Sequence, residues 1–203
     1  MIAKLILEKN TVLIEGPATS HQIMTKEMCP GLTSFRTPAE QQRALAEIAL
    51  LPEGMVYLAH TQAKIVGYIT FHYPDPLERW GQIKLKEILE FGAIEVCPQW
   101  RKKGIASNLL RLGFSNPVVE DYIVISTEYY WHWDLEGTGL NVWEYKNMVD
   151  CAFAEVGFQS VATDDPEIIA HAANSLMVRY GDNVAEREII KFEGYLFLNK
   201  RMY

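Results

Sequence analysis

Three positively charged side chains stand in a row before a glycine, where the chain is predicted to pass from a strand into a helix. They are Arg101, Lys102 and Lys103, and Gly104 opens a run of apolar-periodic residues that extends to residue 114. A helix N-terminus exposes unpaired backbone N–H groups and the positive end of the helix dipole, so it binds phosphate readily. A glycine lets an anion approach the backbone closely. The stretch therefore predicts a phosphate-binding turn, with a solvent-exposed basic loop as the alternative.

Two common phosphate-binding motifs and the usual metal motifs do not occur in the sequence. There is no GxxxxGK[ST], and no GxGxxG follows a predicted strand. A nucleotide P-loop and a Rossmann turn are therefore excluded as explanations of the basic turn. The five histidines show no HExxH or other ligand spacing, so we expect no metal centre.

The overall negative charge of the chain makes a cluster of positive charges more indicative of a specific anion-binding site. The chain has 203 residues and a formal net charge of -7, with 49% hydrophobic and 22% charged residues. These values are typical of one ordinary globular domain. An acidic chain has no bulk attraction for nucleic acid or anionic lipid, so we expect neither as a partner. Any anionic ligand must be held by a site that is built locally.

The cysteines and the N-terminus favour a cytoplasmic protein. The three cysteines, Cys29, Cys97 and Cys151, are odd in number and form no CxxC, which fits a reducing compartment better than a disulfide scaffold. The first ten residues are typical of a strand rather than of a signal peptide. No apolar run approaches the roughly 18 residues of a membrane span.

Alternating strands and helices must position the basic turn. The patterns predict strands at 2–8, 11–15, 55–60, 64–73, 92–96, 122–127 and 158–162. They predict helices at 37–51, 84–90, 104–114 and 142–158, and a last helix after residue 166. Thr37, Pro38 and Glu40 form the clearest helix start, with a capping box and a proline at the first helical position. The order predicts a mixed α/β domain with at least one strand–helix–strand crossover.

The basic turn resembles motif A of the GNAT superfamily of N-acetyltransferases. In that motif a strand ends in V-x-P, an aromatic position follows, and [RQ]-x-x-G-x-[GA] opens a helix. The matching positions are Val96, Pro98, Trp100, Arg101, Gly104 and Ala106. The later stretch "FAEVGF", Phe153–Phe158, is similar to the Y-x-x-x-G-F end of motif B. The two motifs together span residues 90–158 in the order that the superfamily requires.

The resemblance implies a fold and a co-substrate. The fold would be a mixed central sheet with flanking helices and an acetyl-CoA cleft between two splayed strands. It would form a single domain of residues 1–203, with the motif core at about 90–158 and a C-terminal extension at about 163–203. Acetyl-CoA would bind at Ile94, Val96, Arg101, Lys102, Lys103, Gly104, Ile105, Ala106 and Ser107. In this interpretation the backbone amides of residues 102–107 hold the pyrophosphate, and the Val96 amide polarises the thioester carbonyl.

Direct acetyl transfer to an amine would need a general base, because a lysine with a pKa near 10.4 arrives mostly protonated. Two carboxylates near the motif qualify. Glu90 lies six residues before Val96, where the resemblance places the glutamate base of histone-type enzymes. Glu95 lies inside the strand, on the face opposite Ile94 and Val96. The sequence leaves both open as catalytic bases, and either could instead be a surface or ion-pair residue.

The expected acid for the leaving thiolate departs from the superfamily pattern. The usual tyrosine position is occupied by Phe153, which has no proton to give. Tyr145, earlier on the same predicted helix, is the main substitute, and Tyr129 and Tyr130 are further candidates. The aromatic stretch 129–134, "YYWHWD", either belongs to the core or a lid, or shapes the pocket of the acceptor amine.

A second resemblance covers most of the chain. Stretches such as "LIEGP", "YPDPLERW", "TEYYWHWD" and the terminal "RMY" are similar to the acetoin-utilisation acetyltransferases of bacilli, which are GNAT proteins. This similarity implies a protein acetyltransferase that modifies a lysine of acetyl-CoA synthetase and so inactivates it. Two alternatives stay open: a GNAT enzyme for a small-molecule amine, and a non-catalytic acetyl-CoA sensor, which Phe153 would suit.

Overall fold

The structure is a computed structural model that describes residues 2–7 and 10–198. The strands are β1 Ile2–Leu7, β2 Asn10–Glu15, β3 Glu27–Met28, β4 Met55–His60, β5 Lys64–His72, β6 Ile88–Val96, β7 Ile123–Glu128, β8 Gln159–Val161 and β9 Ser175–Tyr180. The helices are α1 Ser20–Met24, α2 Pro38–Ile48, α3 Arg79–Gln82, α4 Ile105–Phe114, α5 Leu135–Thr138, α6 Val142–Ala154, α7 Pro166–Ile169 and α8 Glu186–Gly194. The "RMY" stretch and residue 8 of the first predicted strand lie outside the described residues.

The chain divides into two compact units. The first contains Met1–His72 and Phe91–Asn116, and the second contains Tyr73–Glu90 and Pro117–Tyr203. Strand β6 contributes its first three residues to the second unit and the rest to the first. Parallel pairs, β3 with β5 and β6 with β7, occur beside antiparallel ones. The predicted mixed α/β class is therefore confirmed.

The first unit is a sheet with apolar residues on both faces. Its strands run in the order β1-β2-β4-β5-β6, and β3 pairs with β5 from the side. Strand β4 is buried along its whole length. Alternation sends Val56 and Leu58 into a core with Leu45 of α2. Tyr57 points the other way and meets the ring of Phe71, which also packs edge-on against Phe114 of α4.

The second unit has its own core. Strand β7 pairs in parallel with Ile88–Glu90 of β6 and antiparallel with β9, and β9 pairs with β8. Ile88, Ile123 and Val178 pack in its apolar cluster together with Trp80 and Phe192. The tilted rings of Trp80 and Phe192 lie 5.9 Å apart between centroids. Helices α3 and α8 therefore pack against these strands and complete the core of the second unit.

One predicted element of this second unit is wrong, and two others were missed. The predicted helix at 84–90 is wrong, because Lys84 has a left-handed backbone with φ of 50° and β6 already begins at Ile88. Leu85, Ile88 and Leu89 have helical spacing, but parallel pairing of β6 with Ile123–Ile125 takes precedence. Strand β9 and helix α8 were not predicted at all.

The cysteine pattern also differs from the expectation. Cys29 and Cys97 form a disulfide within the first unit, and Cys151 is free and exposed. An odd cysteine count without a CxxC gave no indication of a pair separated by 68 residues. In the described part of the chain, no helix is long and apolar enough to cross a membrane. The same residues contain no group of three or more metal-ligating side chains.

Candidate functional site

The predicted phosphate-binding turn connects the end of β6 to the start of α4 in the first unit. After Val96 the chain makes a short 3-10 turn at Pro98–Trp100 and reaches Ile105, the first residue of α4. On the way, Lys102 has a φ of 61° and Gly104 a φ of 74°, both in the left-handed region. Left-handed residues next to right-handed ones turn successive N–H groups toward one concave side, where an anion can bind. We call residues 102–107 the backbone cradle.

Half of the backbone cradle, residues 105–107, lies in the first turn of α4. Asn108 is the residue whose N–H first bonds back to the helix start, to the Gly104 carbonyl at 3.1 Å. Helical geometry leaves the earlier N–H groups of α4 without intrahelical acceptors. A Cβ added to Gly104 would have one neighbour within 4 Å, the Asn108 Nδ2 at 3.6 Å. The space in front of Gly104 is therefore open to a ligand.

The three cations of the turn have different surroundings. The Arg101 Nε donates to the Val96 carbonyl at 3.1 Å, which ties the turn to the strand end. The Lys103 Nζ donates to the Gln99 carbonyl at 3.0 Å and lies 5.0 Å from the centroid of the Trp100 ring. Lys102 is exposed. Arg101 and Lys103 thus support the conformation of the turn as well as its positive potential.

Glu95 has a buried carboxylate in the first unit. Its residue is 5% exposed, as expected for a strand position opposite the partly exposed Ile94. One oxygen accepts the Ser34 N–H at 2.8 Å, and the other accepts the Tyr68 hydroxyl at 2.6 Å. Burial, with the Glu95 charge and hydrogen bond, raises the pKa of Tyr68, which therefore stays a hydrogen-bond donor. This arrangement connects β5, β6 and the segment before α2.

Glu90 and the tyrosine candidates lie in the second unit. Glu90 is on a strand rather than at a helix end, opposite Ile125 of β7, and it is partly exposed. Phe153 is buried with its ring 5.0 Å from that of Phe158. Tyr145 is half-buried and stacks on Trp133 with ring centroids 5.1 Å apart and planes within 16°.

The other two tyrosine candidates contact neighbours outside that stack. The Tyr129 hydroxyl donates to the Glu167 carboxylate at 3.0 Å. Burial, and then the bond to Glu167, raises the pKa of Tyr129. Tyr130 packs on His171, with ring centroids 4.1 Å apart.

Trp133, which stacks on Tyr145, also hydrogen-bonds Glu128, a carboxylate that was not predicted as a site residue. Glu128 is the last residue of β7, and its oxygens accept hydrogen bonds from the Ser126 hydroxyl at 2.8 Å and the Trp133 indole at 3.4 Å. Burial is the largest influence on this group and raises the pKa of Glu128, although both hydrogen bonds act in the opposite direction. Glu128 is nevertheless partly exposed as a residue. Trp133 therefore connects a carboxylate suited to accept a proton with a tyrosine that could donate one.

The predicted site residues thus fall into two groups. The first unit contains the backbone cradle with Ile94, Glu95, Val96 and Arg101. The second unit contains Glu90 and Tyr145, and there the structure adds Glu128. The signal for Glu128 was present in the sequence, as an acidic residue two positions after the apolar run "YIVIS" and directly before the aromatic stretch.

Comparison with known proteins connects these features to a family. The model of the "Acetyltransferase (GNAT) family" matches residues 22–114. The chain is 46% identical over 196 residues to the acetoin utilization protein AcuA of Bacillus licheniformis, covering 97% of this chain and 93% of that protein. It is 44% identical over 193 residues to AcuA of Bacillus subtilis, covering 95% and 92% of the two chains.

A solved structure agrees with this assignment. The crystal structure of an acetoin utilization protein from Exiguobacterium sibiricum superposes with a TM-score of 0.94 at 44% sequence identity, covering 97% of this chain and 93% of that one. The two motifs on which the resemblance depended, the turn after β6 and the "FAEVGF" stretch, are both within the aligned length that the relatives share with this chain. The chain therefore belongs to the GNAT family and is an acetyl-CoA-dependent N-acetyltransferase.

Proposed function

We propose that this acetyltransferase modifies a lysine of a metabolic enzyme, that its acceptor is acetyl-CoA synthetase, and that acetylation inactivates the synthetase. The names of the Bacillus relatives support a role in acetoin utilization. The acetylation would then take place in the cytoplasm. It would link the activity of the synthetase to acetoin and acetate metabolism. The proposal treats residues 1–203 as one GNAT domain, because strand β6 contributes residues to both compact units.

The observation that carries the acetyl-CoA part of the proposal is the backbone conformation of the cradle. Lys102 adopts a left-handed φ of 61°, which costs a residue with a Cβ about 1–2 kcal/mol. Such strain is retained mainly where function requires it. Left-handed residues of this kind would turn the N–H groups of residues 102–107 toward a bound anion, in front of a helix with no acidic residue in its first turn. The pyrophosphate of acetyl-CoA fits that chemistry.

The remaining cofactor contacts follow from the strand that precedes the cradle. Ile94–Val96 would pair with the pantetheine arm, and the Val96 N–H would stabilise negative charge on the thioester oxygen. Arg101 would hold the strand end and the turn in register through its bond to the Val96 carbonyl. Lys102 and Lys103 would add positive potential, while Gly104, Ile105, Ala106 and Ser107 would supply backbone donors.

The acceptor amine must lose a proton before it attacks. The new bond joins the amine nitrogen to the acetyl carbon, the carbon–sulfur bond breaks, and the thiolate leaves with the electron pair. Glu90, Glu95 and Glu128 are the proposed proton acceptors. Both oxygens of Glu95 already accept bonds from the protein. Glu128 is partly accessible and its pKa is raised toward the working pH, which is the property that favours a general base.

Tyr145 is the proposed proton donor to the thiolate. Phe153 cannot serve, and its buried ring packs against Phe158 instead. Tyr145 stacks on Trp133, which in turn bonds Glu128. A proton acceptor and a proton donor would therefore be held by one indole ring.

The proposed acceptor is tested by incubating the purified chain with acetyl-CoA and acetyl-CoA synthetase. We expect acetylation of one synthetase lysine by mass spectrometry, with a matching loss of synthetase activity. The Gly104→Val variant serves as the control for non-enzymatic acetylation. If saturating acetyl-CoA leaves the synthetase unmodified while small amines are acetylated rapidly, the acceptor is a small molecule instead. Tight CoA binding with no thiol release on any amine would indicate a sensor.

A further inference from the structure

A continuous row of aromatic rings lies on the second unit. Trp143 stacks on His171 at 6.3 Å, and His171 meets Tyr130 at 4.1 Å. Tyr130 contacts Trp131 edge-on at 5.5 Å, and Trp131 stacks on Tyr129 at 4.8 Å. We call these five residues the aromatic surface. It joins the 3-10 turn after β7, the first turn of α6 and the loop before β9.

The two tryptophans of this surface are unusually accessible. Trp131 is 50% exposed and Trp143 is 57% exposed. Isolated exposed apolar side chains are common and need no explanation. Two half-exposed tryptophans in one connected ring cluster are a different case from isolated side chains. Tryptophan is enriched among the residues that contribute most binding energy at protein interfaces, so the cluster indicates a binding surface.

Side-chain hydrogen bonds fix the backbone that carries two of the rings, at Tyr130 and Trp143. Asn174 accepts the Tyr130 N–H at 3.1 Å and donates to the Glu167 carbonyl at 2.8 Å. The Asn141 side chain caps α6 by accepting the Trp143 N–H at 2.9 Å. A surface that is ordered in advance loses less conformational entropy on binding. The aromatic surface is therefore built for contact rather than left over from an incomplete core.

The sequence segment that carries the aromatic surface is strongly acidic, although one of its aspartates, Asp164, is paired with Arg79. Residues 128–175 contain nine aspartates and glutamates and one lysine, a net charge of -8 with histidine neutral, whereas the whole chain carries -7. The lysine, Lys146, is paired with Asp150 at 2.9 Å. Two exposed carboxylates adjoin residues of the surface: Glu167 accepts the Tyr129 hydroxyl, and Glu144 is the next residue after Trp143 in the chain. This field repels nucleic acid and anionic lipid and attracts a basic polypeptide.

We infer that the aromatic surface docks a basic, lysine-bearing segment of the acceptor protein, an inference that rests on the proposed function. Lysine and arginine side chains pack their apolar stems along aromatic faces and place their charges near ring faces and carboxylates. An open row of rings suits an extended polypeptide, whereas a small amine is normally enclosed in a pocket. The aromatic surface thus recognises the protein that carries the lysine. The proposed proton-transfer groups, such as Glu128 and Tyr145, are separate from it.

The test compares three forms of the full-length chain: wild type, Trp131→Ala/Trp143→Ala, and Ile190→Ala/Phe197→Ala. The control pair removes exposed apolar area from the same unit, at residues 61% and 42% exposed. Binding of acetyl-CoA synthetase is measured by surface plasmon resonance, and acetylation of the synthetase and of a small amine by thiol release. We expect the tryptophan variant to raise the KM for the synthetase about tenfold or more. Its acetyl-CoA affinity, its rate on the small amine and the control variant should stay near wild type.

The outcomes separate this inference from the proposed function. If wild type acetylates the synthetase and the tryptophan variant is equally efficient, the docking surface is wrong and the proposed function stands. If wild type neither binds nor acetylates the synthetase, both fail. If wild type binds without acetylating it, the proposed function fails and the tryptophan variant's binding decides the docking surface. A wild-type dimer that the tryptophan variant converts to a monomer would assign the surface to a second copy of the chain instead.

Ionic strength provides an independent readout within the same experiment. Exposed charges attract over roughly 10 Å at 0.1 M salt and much less at higher salt. Added salt should therefore slow association of the synthetase with wild type several-fold and leave small-amine acetylation unchanged. A salt-independent association rate would contradict the contribution of the acidic residues.

Discussion

The two units of the chain build their proposed binding features from different parts of the polypeptide. In the first unit the backbone cradle depends on the φ angles of Lys102 and Gly104, while Arg101 and Lys103 bond their own chain. In the second unit the aromatic surface and Glu128 depend on side chains that contact one another. Cofactor binding should therefore be sensitive to backbone geometry and tolerant of side-chain changes, and acceptor recognition should behave in the opposite way.

The largest expected effect breaks the backbone cradle. Gly104→Val places a β-branched side chain in a left-handed conformation and fills the open space in front of the N–H groups. Loss of two or more hydrogen bonds to a charged group, each about 1.5–3 kcal/mol, should weaken acetyl-CoA binding at least about 100-fold. Calorimetric titration with acetyl-CoA measures it.

A matched control for Gly104→Val exists in the second unit. Gly139 has a φ of 71°, and a Cβ added there would meet no heavy atom within 4 Å, so Gly139→Val carries the same backbone strain away from the cradle. It should lose thermal stability and keep its acetyl-CoA affinity. Equal loss of affinity in both variants would attribute the effect to strain alone.

The next effect concerns proton transfer in the second unit. Glu128→Gln keeps the shape and hydrogen bonding of the side chain but removes the base, and should lower kcat about 100-fold with little change in acetyl-CoA affinity. In wild type, kcat should fall as the pH drops through the raised pKa of Glu128. Glu136→Gln, an exposed carboxylate of the same unit, is the control. An unchanged rate would leave Glu90 and Glu95 as the candidate bases.

The same variant should gain stability in a pH-dependent way. Because burial raises the folded-state pKa of Glu128 above its unfolded value, its ionisation opposes folding, and this penalty grows as the pH rises from the unfolded to the folded pKa. At pH 7 Glu128→Gln should therefore have a higher Tm than wild type in thermal denaturation. Below about pH 4 the difference should vanish. A destabilised variant at pH 7 would contradict the assigned direction of the pKa shift.

The smallest expected effect tests whether the backbone or the side chain of Lys102 contributes to phosphate binding. Lys102→Gly removes one positive charge but preserves the left-handed conformation and relieves its strain. Acetyl-CoA affinity should stay within about threefold of wild type, since a single exposed charge contributes little at physiological salt. A loss comparable to that of Gly104→Val would show that the Lys102 ammonium, rather than the backbone, holds the phosphate.

The features that could be predicted from the sequence are those with local signals. The strand, turn and helix at residues 92–114 were predictable because their signals are local: an apolar run, a glycine and helical periodicity. The capping box of Thr37 and Glu40 was predictable for the same reason, and Glu40 does accept the Thr37 N–H at 3.2 Å.

Features that depend on distant contacts were not predictable. The pairing of Cys29 with Cys97 joins residues far apart in the chain. Glu128 differs from an ordinary surface glutamate because burial raises its pKa and because Ser126 and Trp133 donate hydrogen bonds to it. Strand β9 is a short run, "SLMVRY". It pairs with β7 and β8, which are not adjacent to it in the sequence. Residues 84–90 have helical spacing, but pairing of β6 with β7 overrides it.

The most direct test of the central claim is a crystal structure of the chain with CoA bound. We expect the pyrophosphate oxygens to lie within about 3 Å of backbone N–H groups between Lys102 and Ser107, with Gly104 facing the phosphates and φ still left-handed. The position of the thiol would then identify the nearest carboxylate. Pyrophosphate held by lysine or arginine side chains away from these N–H groups would contradict the claim that the backbone cradle binds the cofactor.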